Sequence, residues 1–258
     1  MPTAALPPPA GHRPAPTRRT ARSSRPAEAV SFDLRGKALE VHRRLCAAFE
    51  APIPYFHSLD PLSELVSSLL SHRTRNAESG RAFKALRARY PDWQAVIDAD
   101  TAAVEQAIAG VTWPEAKAPR LQQVLRDVRS RHGALSLDFL ADLPPETARA
   151  WLAAIPGVGP KTSAAVLSFS TLRMPALPVD SHHHRVAQRL GLIGPKVDVG
   201  PSHDVLRAQL PADWSAQDLY DNHEVLMLHG QKTCHFRGPA CGRCVLLDLC
   251  PTGQARGA

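Results

Sequence analysis

Lysine is scarce in this 258-residue chain: of 31 basic residues only six are lysine. The rest are arginine, which suits bidentate phosphate contacts, whereas lysine can lose its proton and act as a nucleophile. Each lysine is therefore worth locating. Long hydrophobic runs are also missing. No stretch approaches the roughly 18–20 uncharged apolar residues that a membrane-spanning helix needs, which excludes a bilayer-spanning helical protein. No N-terminal apolar stretch marks a secretory signal. No convincing run of alternating β-branched residues appears either, which argues against a sheet-based fold. What the chain does have is enough apolar mass, 44% of residues, for a sizeable core, and this excludes a wholly disordered chain. Its formal net charge is +7, which points to an acidic partner, nucleic acid first.

The charge is unevenly spread. Residues 1–30 hold seven prolines, five arginines and a single acid, Glu28, so +4 of the net charge sits there. Proline removes helix donors and large apolar side chains are almost absent, so a disordered tail is expected. Arg-rich, acid-poor tails can be organelle transit peptides. The prolines work against the amphipathic helix such a peptide needs, leaving a loose nucleic-acid-binding or inert tail as the expectation.

Beyond residue 30 the pattern is helical. Asp60-Pro61 reads as an N-cap followed by proline at the first helical position. Leu62, Leu65, Val66, Leu69 and Leu70 then carry a buried helix face. Further helices are predicted over Arg81–Tyr90, from Asp100 to before Gly110, through Leu121–Val128 to a terminating Gly133, and around Trp151–Ile155. The fold class read from the sequence is all-α, with helices of roughly 10–18 residues.

Four of the five cysteines, Cys234, Cys241, Cys244 and Cys250, crowd the C-terminus in the spacing C-x6-C-x2-C-x5-C. Four thiolates this close fit a tetrahedral metal site or an iron–sulfur cluster, and spacing alone leaves zinc and [4Fe–4S] open. Disulfides would need an oxidising compartment, with no secretion signal to take the chain there. Cys46, alone on an N-terminal helix, reads as an ordinary small hydrophobe. Arg237, in the loop between Cys234 and Cys241, is a candidate phosphate contact.

Ile155-Pro156-Gly157-Val158-Gly159-Pro160-Lys161-Thr162 lies between two helices, the pattern of a helix-hairpin-helix. Gly157 and Gly159 allow a tight turn and close approach to another chain, and the amides at the start of the second helix form an anion site suited to a DNA phosphate. One of the six lysines, Lys161, follows directly. Asp180 lies in Pro178-Val179-Asp180-Ser181-His182, where its plainest reading is the N-cap of the following helix.

Hairpin, lysine, aspartate and cysteine cluster together resemble endonuclease III, the iron–sulfur, helix-hairpin-helix DNA glycosylases, over about residues 32–251. The carrying stretches are Gly157-Val158-Gly159-Pro160-Lys161, Val179-Asp180-Ser181-His182 (serine standing where the family has threonine), Leu228-His229-Gly230 and the four cysteines. The resemblance implies a [4Fe–4S] cluster on Cys234, Cys241, Cys244 and Cys250. It implies a six-helix domain at 54–174 and a cluster domain made of 31–53 plus 175–258, with a DNA groove between them.

It further implies a bifunctional glycosylase and abasic-site lyase that removes oxidised pyrimidines, with Lys161 as nucleophile and Asp180 as its activating and charge-stabilising partner. Gly157, Val158 and Gly159 would grip the backbone of double-stranded DNA bearing damaged bases or abasic sites. A monomer is expected, in the cytoplasm or nucleoid of a bacterium, or in an organelle or nucleus. His182 matches the family's histidine and is expected in or near the cleft; the run His182–His184 in this chain cannot readily converge on one metal ion.

Two loops depart from the family. Ser71-His72-Arg73-Thr74-Arg75-Asn76 places Arg73 where glutamine is usual and Asn76 where aspartate is usual. The loop Gly110–Lys117 is about two residues longer than usual. Arg73 and His72 on the first, and Val111 or Trp113 on the second, are candidates for the wedge that fills the gap left by a flipped nucleotide. A basic loop gripping phosphates, and Trp113 as packing, are the alternatives there. For the whole chain the rival readings are a monofunctional adenine or mismatch glycosylase, disfavoured by Lys161, and a non-catalytic damage-binding protein.

Overall fold

The computed structural model describes residues 33–257, and the Pro/Arg-rich segment 1–30 lies outside them. Among the described residues there are helices, 3-10 turns and loops, and no strand. The helices are α1 (Leu34–Phe49), α2 (Pro61–Ser71), α3 (Asn76–Arg89), α4 (Trp93–Asp98), α5 (Thr101–Ala107), α6 (Pro114–His132), α7 (Pro145–Ala153), α8 (Pro160–Phe169), α9 (Ser181–Leu190), α10 (Val199–Arg207), α11 (Ala216–Lys232) and α12 (Pro251–Gln254). None is long and apolar enough to cross a membrane.

The local chemistry sets many of the boundaries. Asp60 caps α2 by accepting from the Ser63 amide at 2.9 Å, and Pro61 takes the first helical position, whose missing N–H costs nothing there. Gly133 ends α6 with φ +83°, a left-handed stop that glycine adopts without a Cβ clash. Two starts lie earlier than periodicity predicts. Helix α3 begins at Asn76 and α6 at Pro114, because their first turns are polar and carry no apolar stripe. The short α4 was not legible either: it is a single turn and a half, capped by Asp92 onto the Ala95 amide at 2.8 Å.

Two apolar cores organise the molecule. The first gathers α2 to α8 around Leu65, Val66, Leu86, Leu121, Leu125 and Leu152. The second joins α1, through Val41 and Leu45, to Val186, Leu190, Leu206, Leu219 and Val225. Each fully buried leucine or valine contributes about 1.5–3 kcal/mol, so the N-terminal helix is held by residues some 150 positions further along the chain. The chain passes from the first core to the second between Ala176 and Leu177. Asp180 follows three residues later.

Candidate active site

Lys161 sits at the second position of α8, directly after the hairpin. The hairpin turns at Gly157, whose φ is +93° and over which the Arg120 side chain packs so closely that a Cβ would stand 3.3 Å from its Cδ. Val158 does not face outward. It is buried in the first core and its amide bonds to the Ile155 carbonyl at 3.0 Å. The Val158 side chain and amide are thus engaged within the protein, where the residue anchors the turn. Gly157 and Gly159 are exposed, and α8 has no side-chain cap, so the amides that open the helix point to solvent with the positive end of its dipole.

Asp180 is the N-cap of α9, accepting from the His183 amide at 2.7 Å. Its plainest reading from sequence is therefore correct, and it coexists with a place beside Lys161. Burial drives the Lys161 ammonium below its ordinary range, opposed by the carboxylates of Glu64, Asp180 and Glu224. Three carboxyl groups, from α2, the cap of α9 and α11, thus lie within electrostatic reach of one lysine. Burial resists ionisation of Asp180, yet His223, the His183 amide and His183 hold it below the usual carboxylate range. Burial pushes His183 down to about 3 and His223 well below 6.5. Both imidazoles are neutral at pH 7, so the amide and the dipole of α9 carry most of that effect.

Glu224 is pushed up to about 7, first by burial and then by Asp180. The site therefore holds one ionised carboxylate, one poised near neutrality, and a lysine biased toward the free amine. Such perturbed groups gathered in one place mark a chemical site.

Glu64, His57, His183, His223 and Glu224 carry no local motif and were missed from sequence. Glu64 is buried, accepts from Ser68 Oγ at 2.9 Å and pairs with His57 Nε2 at 3.1 Å. A carboxylate inside the apolar run Leu62–Leu70 was the available signal, since a charge is rarely buried there without a partner. His182, expected in or near the cleft, packs α9 on α11, where a Cβ on Gly230 would stand 2.9 Å from His182 Cβ, and it is among the groups whose charge acts on Asp180. His183, one step further round the helix, is the residue buried toward the site.

The two loops beyond Lys161 meet. Thr112 donates its amide to Thr74 Oγ1 at 3.1 Å and its hydroxyl to the Arg73 carbonyl at 3.0 Å. Arg73 and Trp113 are exposed, and the guanidinium lies 5.8 Å from the indole centroid. Val111 is buried in the first core, so its side chain packs there and does not intrude on a duplex. His72 is exposed beside cations: burial, Lys117, Arg73, Lys161 and Arg120 all lower its pKa. That grouping makes a basic rim around the lysine.

At the other end of α9, Arg185 donates to the carbonyls of Gly230 (2.8 Å) and Cys234 (3.0 Å), and Arg189 to Cys234 Sγ (3.2 Å) and the His235 carbonyl (2.7 Å). Cys234, Cys241, Cys244 and Cys250 line one pocket with Arg189, His229 and Leu246, and none is in a disulfide. Backbone amides reach two sulfurs, Leu246 to Cys244 at 3.4 Å and Gly253 to Cys250 at 3.3 Å. Among the described residues no three His, Cys, Asp or Glu side chains converge tightly enough for a single ion. Four thiols lining one pocket are a donor set that suits a tetrahedral metal ion or an iron–sulfur cluster. Arg237 is exposed at the loop's outer turn. Cys46 is half-buried, packs against the second core and lies 3.4 Å from His42 Nε2.

A family model described as HhH-GPD superfamily base excision DNA repair protein matches residues 66–211. Endonuclease III of Escherichia coli (strain K12) is 28% identical over 216 residues, covering 84% of this chain and 95% of that protein. A putative DNA glycosylase of Arabidopsis thaliana is 32% identical over 170 residues, 66% of this chain but only 56% of the relative, so the chain spans little more than half of that protein's length. Among solved structures, a non-covalent endonuclease III–DNA complex superposes with a TM-score of 0.71 at 24% identity, covering 86% of this chain and 98% of the other. A trapped endonuclease III–DNA covalent intermediate gives a TM-score of 0.72 at 24% identity, covering 87% and 99%. These likenesses carry the fold.

Proposed function

The chain belongs to the endonuclease III family of the HhH-GPD superfamily of base excision DNA repair proteins, and from that premise we propose that it is a bifunctional DNA glycosylase and abasic-site lyase acting on oxidised pyrimidines in duplex DNA. The observation that carries this reading is Lys161: a lysine desolvated at the mouth of the hairpin, with Asp180 beside it as an ionised carboxylate.

A base stacked in a duplex cannot be attacked at its sugar, so the nucleotide swings out into the cleft. The lone pair of Lys161 Nζ forms a bond to C1′ while the glycosidic bond breaks and its electron pair leaves with the damaged base. Asp180 stabilises the positive charge that grows on the sugar as that bond lengthens. The secondary ammonium so formed gives up a proton, which the departing base takes; the recovered nitrogen lone pair then forms a Schiff base as the ring C1′–O4′ bond opens and O4′ takes a proton. Loss of a C2′ proton sends electrons to C3′, the C3′–O bond breaks, and the 3′ phosphate leaves on a nicked strand. Burial of Lys161 matters because an exposed lysine at pH 7 is almost wholly protonated and has no lone pair to give.

Gly157 and Gly159 hold a backbone phosphate at the amides that open α8, with Arg237 on the cluster loop as a further phosphate contact. Arg73 and Trp113 fill the gap left by the flipped nucleotide, with His72 on the same rim. Cys234, Cys241, Cys244 and Cys250 hold a [4Fe–4S] cluster, which when bound supplies a four-point cross-link that shapes the loop carrying Arg237. The two cores correspond to two domains, 54–174 and 31–53 with 175–258, on either side of a groove for duplex DNA, and the protein acts as a monomer.

Borohydride reduction during turnover of a thymine-glycol duplex tests the reading. It traps a covalent adduct with the wild-type protein and none with Lys161→Ala. Undiminished trapping by Lys161→Ala removes Lys161 as the nucleophile; base release without nicking by the wild type makes the enzyme monofunctional.

A further inference from the structure

Lys117 has no part in the chemistry above, yet it is among the most fully bonded side chains in the molecule. It is buried, and its ammonium donates to the Leu70 carbonyl at 2.7 Å, the His72 carbonyl at 2.7 Å and Thr74 Oγ1 at 2.8 Å. All three of its protons go to the end of α2 and the loop after it. Its own amide bonds to the Trp113 carbonyl at 3.0 Å. One residue therefore holds the first loop with its side chain and the second with its backbone. Thr74 Oγ1 receives both the Lys117 ammonium and the Thr112 amide, which closes the network between them.

What this network holds is unusual backbone. Arg73 has φ +53° and Trp113 has φ +56°. For residues with a Cβ this region costs of order 1–3 kcal/mol each and persists only where the surroundings over-determine it. Both strained residues are exposed, side by side, with the guanidinium over the indole. Stabilisation of an isolated buried ammonium would call for a carboxylate; here three neutral oxygens of a loop do that work instead, so the interaction is spent on the shape of the loop.

We propose that Lys117 is a positioning residue that locks the two loops into one rigid wedge tipped by the neighbouring pair Arg73 and Trp113, and that this wedge occupies the space a nucleotide vacates when it leaves a duplex. The inference rests on the DNA-glycosylase reading but concerns a step before chemistry. A planar guanidinium on an indole offers two faces for stacking on the flanking bases, and donors for the orphaned base opposite. Held rigid in advance, the pair loses little entropy on entry.

The test uses the full chain and a duplex containing a tetrahydrofuran abasic analogue opposite 2-aminopurine, which the enzyme can bind but not cleave. Wild-type binding is expected to change the 2-aminopurine fluorescence as the wedge takes the gap. Arg73→Ala and Trp113→Ala, both at exposed positions, and Lys117→Met should each abolish that change and weaken affinity by about 10-fold or more. The double variant Lys117→Met/Trp113→Ala should be no worse than the weaker single variant, because the residues act as one unit. Trp113→Phe, which keeps a stacking face, should restore most of the signal.

The ratio of nicking on duplex to nicking on single-stranded abasic DNA should fall about 10-fold in Lys117→Met, since a single strand leaves no gap to fill. A full fluorescence change in the Arg73 and Trp113 variants overturns the wedge. Additive losses in the double variant overturn the role of Lys117, and if Lys117→Met does not fold the Arg73 and Trp113 arms still decide. A wild-type protein that gives the fluorescence change but nicks nothing refutes the lyase reading and leaves this one standing.

Discussion

Asp180 serves two masters, and two substitutions separate them. Asp180→Asn keeps an oxygen to accept from the His183 amide, now at 2.7 Å, but removes the charge. Asp180→Ala removes both. Losing an N-cap costs about 1 kcal/mol, within a range of roughly 0.5–2, while asparagine caps as well as aspartate. Asp180→Ala should therefore melt about 2–4 °C below Asp180→Asn, the shift that about 1 kcal/mol makes in a domain of this size.

Activity has two opposing terms. Without the carboxylate the Lys161 ammonium loses a group that raises its pKa, which favours the free amine. Losing a preorganised charge at a developing cation costs roughly 100- to 1,000-fold. The loss outweighs the gain, so both variants should nick a thymine-glycol duplex about 10- to 100-fold more slowly than wild type in single turnover. Differential melting and single-turnover nicking measure the two halves. Nicking by Asp180→Asn within about threefold of wild type would refute the electrostatic role, and equal melting of the two variants would refute the cap.

Two further outcomes follow from the same geometry. His183 is neutral in the fold, with its pKa pushed down to about 3 from 6.5. The unfolded chain takes up its proton first, so stability present above pH 6.5 is lost as the pH falls, by about 1.4 kcal/mol per pH unit. Unfolding free energies from urea titration at pH 6.5 and 5.0 should differ by about 1.6 kcal/mol from this residue, and His183→Gln should show a correspondingly shallower acid slope; an identical slope would dismiss the buried imidazole as its source. At the cysteine pocket, purified protein should contain iron and acid-labile sulfide near four each per chain, as a [4Fe–4S] cluster requires; stoichiometric zinc without iron would replace the cluster with a single-ion site.

Chemistry written in short stretches was legible in the sequence; chemistry assembled from distant stretches was not. The hairpin, Lys161 after it, the Asp180 cap and the cysteine spacing are each contained within a few residues, where backbone stereochemistry alone limits what can form. Glu64, His57, His223 and Glu224 come together only because α2 packs on α8, and α11 on both α8 and α9, and helical periodicity assigns such residues to a face without saying what that face meets. Val111 and Val158 show the same limit from the other side. Both lie in loops that read as surface, and both are drawn into the first core, where a branched apolar side chain fixes the turn. His182 and His183 differ by one step of about 100° on α9, and only the position of α11 decides which of them enters the site.

The seam between the cores runs through the middle of this chemistry. Lys161 stands on a helix of the first core, and Asp180 on the cap of a helix in the second, three residues after the chain crosses over. Neither core owns the complete pair. Substitutions along the seam can therefore trade rate against rigidity while each core keeps its own packing. A lineage adapting to colder or hotter surroundings has a place to tune turnover without touching the reacting groups.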